Sequence, residues 1–204
     1  MASNEGKLVH LVDDDEAVRR SVGFMLKTSG LRVISYDSGR DLLRSGALAP
    51  GSILLDIRMP EMDGLEVQQA LQERGVRLPV IIMTGHGDVG LAVKAMKAGA
   101  IDFIEKPLEK ATVLASLDEA FRRLGQKEVT GDRRKDAEVR LKCLTPRERD
   151  VLNGLADGLP NKTIAYDFGI SPRTVEIHRA NLMMKLGVRS LSEALRIAFA
   201  AQES

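Results

Sequence analysis

The 204-residue chain is short of several things, and each shortage closes off a class of protein. It has one cysteine, Cys143, so no internal disulfide can staple it and a reducing compartment is the economical setting. Tryptophan is absent and aromatics make only 3%, which leaves a stacking platform for single-stranded nucleic acid poorly supplied. No apolar run approaches the roughly 18–20 residues of a membrane-spanning helix. The stretch from Met1 to Lys7 lacks the apolar segment of a secretory signal. Net charge is also nearly missing, with 30 Lys+Arg against 29 Asp+Glu. What remains is 44% hydrophobic and 29% charged, far from disorder or a collagen-like repeat. The expectation is a soluble cytoplasmic protein with no membrane partner, folded as one large domain or two modest ones.

The charge balance hides an asymmetry. Residues 1–124 carry 16 Lys+Arg against 18 Asp+Glu, and residues 125–204 carry 14 against 11. Pattern divides the chain more firmly. Short apolar runs at 8–12, 31–35, 53–57, 80–84 and 101–104 are rich in Val, Ile and Leu, as strands covered on both faces should be. Amphipathic stretches near 16–29, 38–47, 64–74, 88–98 and 110–124 alternate with them. Repeated strand–helix units imply a doubly wound parallel sheet with right-handed crossovers, an α/β domain over residues 1–124. Residues 125–140, charged and poor in large apolar side chains, suit a linker or an exposed extension of the preceding helix. Residues 141–204 show no strand signal and read as a smaller all-α domain of short capped helices. Thr145-Pro146-Arg147-Glu148 is a capping box with proline at the first helical position, and Ser190 to Glu193 is a second box. Ser171-Pro172 repeats the cap-plus-proline signal, Asn161 can cap a helix from Lys162, and Gly158 and Gly169 fall at helix ends.

Loops beyond the carboxyl ends of parallel strands are where such sheets carry function. Those positions hold Asp13, Asp14 and Asp15 after the first strand, Asp56 after the third, Thr84 after the fourth and Lys106 after the fifth. Crowded carboxylates repel unless a cation lies among them. Hard oxygen donors with no His or Cys nearby favour Mg²⁺. A carboxylate facing Mg²⁺, a lysine and a hydroxyl is placed to attack a phosphoryl group. Taken singly, these residues have plainer roles: Asp15 can cap the helix at 16, and Thr84 is an ordinary strand residue. Gly85-His86-Gly87-Asp88 allows two readings, a phosphate-cradling turn or a pliable loop with Asp88 capping the next helix. His86 takes no catalytic role, His10 reads as a core-edge residue, and Cys143 as a small apolar contact.

Val12-Asp13-Asp14-Asp15, the run Leu55-Asp56-Ile57-Arg58-Met59-Pro60-Glu61-Met62-Asp63-Gly64, Thr84-Gly85-His86-Gly87 and Lys106-Pro107 resemble the receiver domain of two-component response regulators over residues 7–124. The resemblance implies a flavodoxin-like (βα)5 fold. It implies Asp56 as phosphoacceptor, Asp14 as direct Mg²⁺ ligand, Asp13 as a ligand largely through water, and the Arg58 carbonyl completing the set. Thr84 is then the switch hydroxyl, Lys106 its ion-pair partner, and Phe103 stands at the switch aromatic position. A cis Lys106-Pro107 bond is expected.

In the second domain, 162–168, a turn at Gly169-Ile170-Ser171 and 172–186 make helix, tight turn and longer helix, the arrangement that lays a helix in the DNA major groove. On a helical wheel Val175, Leu182 and Leu186 face the core, while Arg173, Glu176, Ile177, Ala180 and Met184 share the opposite side. Apolar residues on an outward face suit thymine methyls or another protein. Residues 171–196 hold five Lys/Arg against two Asp/Glu. The strings 144–148, 161–165, 171–178 and 184–186 resemble the LuxR/NarL-type helix-turn-helix over 141–202. That implies phosphate contacts from Lys162, Thr174, His178 and Lys185, and base readout by Arg173, Glu176, Ile177, Arg179 and Ala180. Some members of that family have lysine where this chain has Glu176, so the base sequence read does not transfer. The whole chain, with Ala95 to Pro107 and Leu159 to Asp167 as further matches, resembles the FixJ type of response regulator, which implies nitrogen-fixation-type target genes.

The expected function is a DNA-binding transcriptional regulator, not an enzyme. A sensor histidine kinase phosphorylates Asp56, the protein dimerises, and it binds promoter DNA with RNA polymerase as a further partner. Val89, Val93, Lys94, Lys97 and Asp102 are the candidate dimer face. The alternative is a phosphorylation-independent regulator whose receiver only dimerises. A phosphohydrolase of the haloacid-dehalogenase type is disfavoured, because the second Asp it needs at position 58 is Arg58.

Overall fold

The structure, a computed structural model, describes residues 6–85, 89–124 and 133–202. The chain forms two compact units, residues 1–86 with 98–127 and residues 87–97 with 128–204. Helix α4 (Val89–Lys97) therefore groups with the second unit, although it follows strand β4 in the chain.

The first unit contains β1 (Leu8–Val12), α1 (Glu16–Thr28), β2 (Arg32–Tyr36), α2 (Gly39–Arg44), β3 (Ser52–Asp56), α3 (Gly64–Glu73), β4 (Val80–Thr84), β5 (Asp102–Glu105) and α5 (Lys110–Leu124). All strand pairs are parallel and the order is β2-β1-β3-β4-β5. The alternating side-chain direction of a strand explains the packing. Val9, Leu11, Leu54, Ile81 and Met83 share one buried cluster with Val22 and Leu26 of α1 and Val113, Leu117 and Ala120 of α5. The intervening Val12, Ile53, Leu55 and Ile82 are fully buried as well, so the central strands are covered on both sides. β2 departs from that expectation. It pairs only with β1, and Arg32, Ile34 and Ser35 are exposed, because an edge strand has neighbours on one side.

His10 is buried, with Nε2 3.0 Å from the Ala49 carbonyl and Nδ1 3.1 Å from the Tyr36 hydroxyl. Since a carbonyl only accepts, Nε2 donates and Nδ1 accepts from Tyr36 in the neutral ring. The helices start where side chains satisfy free backbone N–H groups. Asp15 Oδ1 accepts from the amides of Ala17 and Val18, and Asp63 with Glu66 forms a full capping box on α3.

The second unit contains α4 with α6 (Arg133–Leu141), α7 (Pro146–Ala156), α8 (Asn161–Phe168), α9 (Pro172–Leu186) and α10 (Leu191–Gln202). Much of the expected linker 125–140 is thus helical; its first part, 125–132, lies outside the described residues. The signal is a pair one helical turn apart, Ala137 and Leu141, both buried within an otherwise charged run. Asn161 is not a cap: Pro160 takes that position without a side-chain bond, and Asn161 is the first residue of α8. Thr145 and Ser171 cap α7 and α9 as expected. Ser190 Oγ accepts from the Glu193 amide, but Glu193 returns its bond to Arg189 N. Gly169 ends α8 at φ 64°, the left-handed conformation that glycine tolerates best. Cys143 is exposed, its Sγ 3.0 Å from the Arg140 carbonyl and 3.6 Å from the Lys185 carbonyl. No described helix is long and apolar enough to cross a membrane.

The start of α3 is pressed against the end of β3. A Cβ added at Gly64 would lie 2.5 Å from the Asp56 carbonyl oxygen and 2.8 Å from Ile57 Cα, both backbone atoms that cannot swing aside. Gly64→Ala is expected to cost about 1–3 kcal/mol, read as a lower urea midpoint at unchanged slope. A midpoint equal to wild type would show that the loop can back away from the strand.

Candidate functional site

The sheet's neighbour order reverses between β1 and β3, and a crevice opens beyond the strand ends at such a reversal. The register brings the expected residues to this edge. Val12 pairs with Leu55, Asp56 with Met83, and Thr84 with Glu105, so Asp13, Asp56, Thr84 and Lys106 leave the sheet close to one level. Lys106 N donates to the Thr84 carbonyl at 2.8 Å, and the Lys106-Pro107 peptide is cis as expected.

One ammonium organises the crevice. Lys106 Nζ lies 2.9 Å from Asp13 Oδ2 and 2.9 Å from Asp56 Oδ1, and both carboxylates are buried. The other Asp13 oxygen accepts from the Asp15 amide at 2.9 Å. Asp14 is exposed at the rim, and single carboxylate oxygens of Asp13, Asp14 and Asp56 all fall within 4.8 Å of one another. Asp15 points its carboxylate at the start of α1 and belongs to the helix cap. Arg19, which the sequence did not single out, donates from Nη1 to the carbonyls of Asp13 (2.7 Å) and Asp14 (2.8 Å) and holds that turn in place. Arg58 lies two residues past Asp56 with its side chain exposed.

Burial pushes the Asp56 carboxyl up from its ordinary value. The neighbouring charges of Asp13 and Asp14 add to the rise, and Lys106 only partly offsets it. For Lys106, burial acts to lower the pKa, but hydrogen bonds and charge from Asp56 and Asp13 outweigh it, so the ammonium is held above its usual value. Three carboxylates face one ammonium, an excess of negative charge among oxygen donors only. That donor set fits a small hard divalent cation such as Mg²⁺, which binds carboxylates while keeping waters. The Thr84 side chain is buried at the end of β4, and among the described residues its hydroxyl has one hydrogen bond, a long 3.4 Å donation to the Gly85 carbonyl.

The proposed dimer face fares unevenly. Lys94 and Lys97 are exposed, but Val93 is buried. Asp102 is also buried, with Oδ2 2.6 Å from Ser116 Oγ and Oδ1 accepting from the Phe103 amide at 2.8 Å. Its carboxylate is bonded between β5 and α5, to a serine 14 residues further along the chain that gave no local sign of it. The Val89 side chain and the loop residues His86 to Asp88 lie outside the described set. Phe103 is half-buried on β5.

In the second unit Ser171 and Pro172 start α9, whose Val175, Leu182 and Leu186 are buried as expected. Arg173, Glu176 and Ala180 are exposed, Ile177 is 53% and Met184 72% exposed, and Lys162 is exposed on α8. Thr174, His178 and Arg179 are half-buried, and Arg179 Nη1 is 3.4 Å from Asn161 Oδ1. Lys185, expected at the DNA backbone, is exposed. Its ammonium lies 2.8 Å from Oε2 of buried Glu148, an oxygen that also accepts from the Thr145 amide at 2.8 Å. A lysine bound to a buried carboxylate ties the end of α9 to the start of α7. Arg140 adds a second tie, donating to the Leu186 carbonyl at 2.6 Å.

Comparison with known proteins agrees with this geometry. Residues 9–118 match the response regulator receiver domain, and residues 142–198 match the bacterial regulatory proteins of the luxR family. The transcriptional regulatory protein FixJ of Azorhizobium caulinodans is 48% identical over 95% of this chain and 92% of its own length. FixJ of Rhizobium meliloti is 46% identical over 94% of this chain and 95% of its own. A crystal structure of full-length FixJ from B. japonicum superposes with a TM-score of 0.58 at 41% identity, covering 97% of this chain and 98% of that one.

Glu148 generates a pH dependence. Although its burial works to raise the carboxyl pKa, the bonds from Lys185 and Thr145 outweigh that and hold it below the usual range. A depressed carboxylate pKa contributes stability above the unfolded value, and this is lost as pH falls through the folded one. Thermal melts between pH 7 and pH 3 are expected to show the α7–α9 region losing stability on acidification, and Glu148→Gln to flatten that loss. Equal acid sensitivity in both proteins would place it elsewhere.

Proposed function

Because the chain belongs to the two-component response regulators that join a receiver domain to a LuxR-type DNA-binding domain, we propose that it is a transcription factor switched by phosphorylation of Asp56. Membership in this family of transcription regulators places a sensor kinase upstream and DNA downstream. The observation that carries the reading is the single Lys106 ammonium bridging Asp13 and Asp56 beside the buried Thr84 hydroxyl. Residues 1–124 are the receiver, 125–140 the connection, in which α6 begins, and 141–204 the DNA-binding domain.

The chemistry follows from these groups. An Asp56 carboxylate oxygen attacks the phosphorus of a kinase phosphohistidine; a P–O bond forms, the P–N bond breaks, and the imidazole leaves with its electron pair. Asp13, Asp14, Asp56 and the Arg58 carbonyl would hold Mg²⁺, which supplies neutralisation of charge on the transferred oxygens. The product carries roughly −1.5 to −2 charge by analogy with other phosphorylated side chains. Lys106, already within reach of Asp56, exchanges a carboxylate oxygen for a phosphoryl oxygen. The Thr84 hydroxyl donates to another, and Phe103 and the segment around α4 follow. Exposed Lys94 and Lys97, with Val89, then supply the face on which two copies meet, and dimerisation brings two helix-turn-helix units to paired half-sites. Lys162, Thr174, His178 and Lys185 contact phosphates, while Arg173, Glu176, Ile177, Arg179 and Ala180 face the bases. The resemblance to proteins named FixJ supports nitrogen-fixation-type genes as targets, activated with RNA polymerase in the cytoplasm.

Light scattering with Mg²⁺ and fluoroberyllate tests the switch. Wild type is expected to double its mass, while Asp56→Asn stays monomeric in the same buffer. An unchanged mass in both would remove induced dimerisation and leave a constitutive DNA-binding regulator, with the receiver as a fixed module.

A further inference from the structure

Helix α9 has apolar residues on two opposite sides. One side is the buried seam of Val175, Leu182 and Leu186; the other carries Ile177, Ala180 and Met184, all exposed. A helix that only closes a small core would have a polar outer face. Within this stripe sits a carboxylate, Glu176, exposed and with no ion pair or hydrogen bond among the described residues. Arg173 is exposed on the first turn of α9 and Lys162 on α8, cations suited to phosphates, which a carboxylate repels. Arg173 stands one turn before Glu176 without bonding it, so the Glu176 oxygens are open to a donor from the partner. In the major groove the cytosine N4 amino group donates to Glu without offering an acceptor of its own, and thymine presents a methyl group to apolar side chains.

We infer that Glu176 reads a cytosine through its N4 amino group and that Ile177 and Ala180 pack on thymine methyls beside it, so that the protein selects a pyrimidine-rich strand in each half-site. This rests on the DNA-binding reading above and adds the base chemistry. Spacing sets the extent. Arg173 to Ala180 covers about 10 Å of helix axis, or about three base pairs. Arg173, at the entering end, suits a guanine O6/N7 edge at the start of the stretch. Met184 lies about 16 Å from Arg173 along the axis, beyond those base pairs, and takes no part in the readout.

The test uses the full chain with Mg²⁺ and fluoroberyllate, selecting from random duplex DNA at about 150 mM salt, for wild type and Glu176→Gln. Glu176 is exposed, so the substitution leaves the fold alone. Wild type should enrich a half-site with cytosine at one fixed position. Glutamine, which pairs with adenine N6 and N7, should move that position to adenine, with a change of preference of about tenfold. On the selected duplex, replacing thymine by deoxyuracil removes only the methyl. Made at the thymine facing Ile177, the change should weaken wild type about fourfold, the equivalent of one buried methyl group, and weaken Ile177→Ala by less. An identical half-site for both proteins, or equal affinity for thymine and uracil duplexes, overturns the inference while DNA binding stands. No enriched sequence together with no salt-dependent binding in wild type overturns the DNA-binding reading, and the inference with it.

Discussion

Two buried carboxylates cannot both stay ionised side by side without a positive charge between them, and Lys106 is that charge. Its ammonium sits 2.9 Å from oxygens of both Asp13 and Asp56. The arrangement reaches back into the fold. Lys106 can span both only because β1, β3, β4 and β5 are parallel and in register, so that their ends meet on one edge. The pairing of Lys106 N with the Thr84 carbonyl places the lysine at that edge. Even so, one ammonium does not balance the three carboxylates, and Asp56 is left with a raised pKa by burial and by its acidic neighbours. That excess of negative charge among oxygen donors is what suits the site to a small divalent cation.

The DNA-binding unit solves a different problem. It is small, and its long helix α9 must be held firmly while one side stays bare for DNA. Core contacts from Val175, Leu182 and Leu186 do part of this. The rest falls to polar ties at the helix end, where Lys185 meets Glu148 and Arg140 meets the Leu186 carbonyl. Glu148 serves twice, closing the cap of α7 and anchoring α9. Lys185 lends its ammonium to this tie while it stays exposed, as Arg173 and Lys162 are.

The five strands, their order along the chain and most helix starts are legible in sequence because they rest on local rules, short continuous apolar runs and capping residues. The acidic site is legible for the same reason: parallel topology sends every strand end to one edge, so naming strand ends names the site. Where local reading stops short, the missing information is a contact between distant residues. α6 looks like a linker until Ala137 and Leu141 are seen to be buried. Asp102 looks like a surface charge until Ser116 closes over it. Arg19, one turn into α1, shows no sign in the sequence of bonding the two carbonyls of the acidic turn.

By itself, then, the sequence determined the element types, the parallel sheet, the identity of Asp13, Asp14, Asp56, Thr84 and Lys106 as one constellation, and the two-faced character of α9. Tertiary structure alone decided how charges are shared. It assigned Lys106 to two carboxylates at once, buried Asp102 against Ser116, paired Lys185 with Glu148, and left Glu176 exposed. Hydrophobic periodicity is written along the chain and can be read there. An ion pair joins side chains tens of residues apart, and its partners are known only when the fold has brought them within about 3 Å of each other.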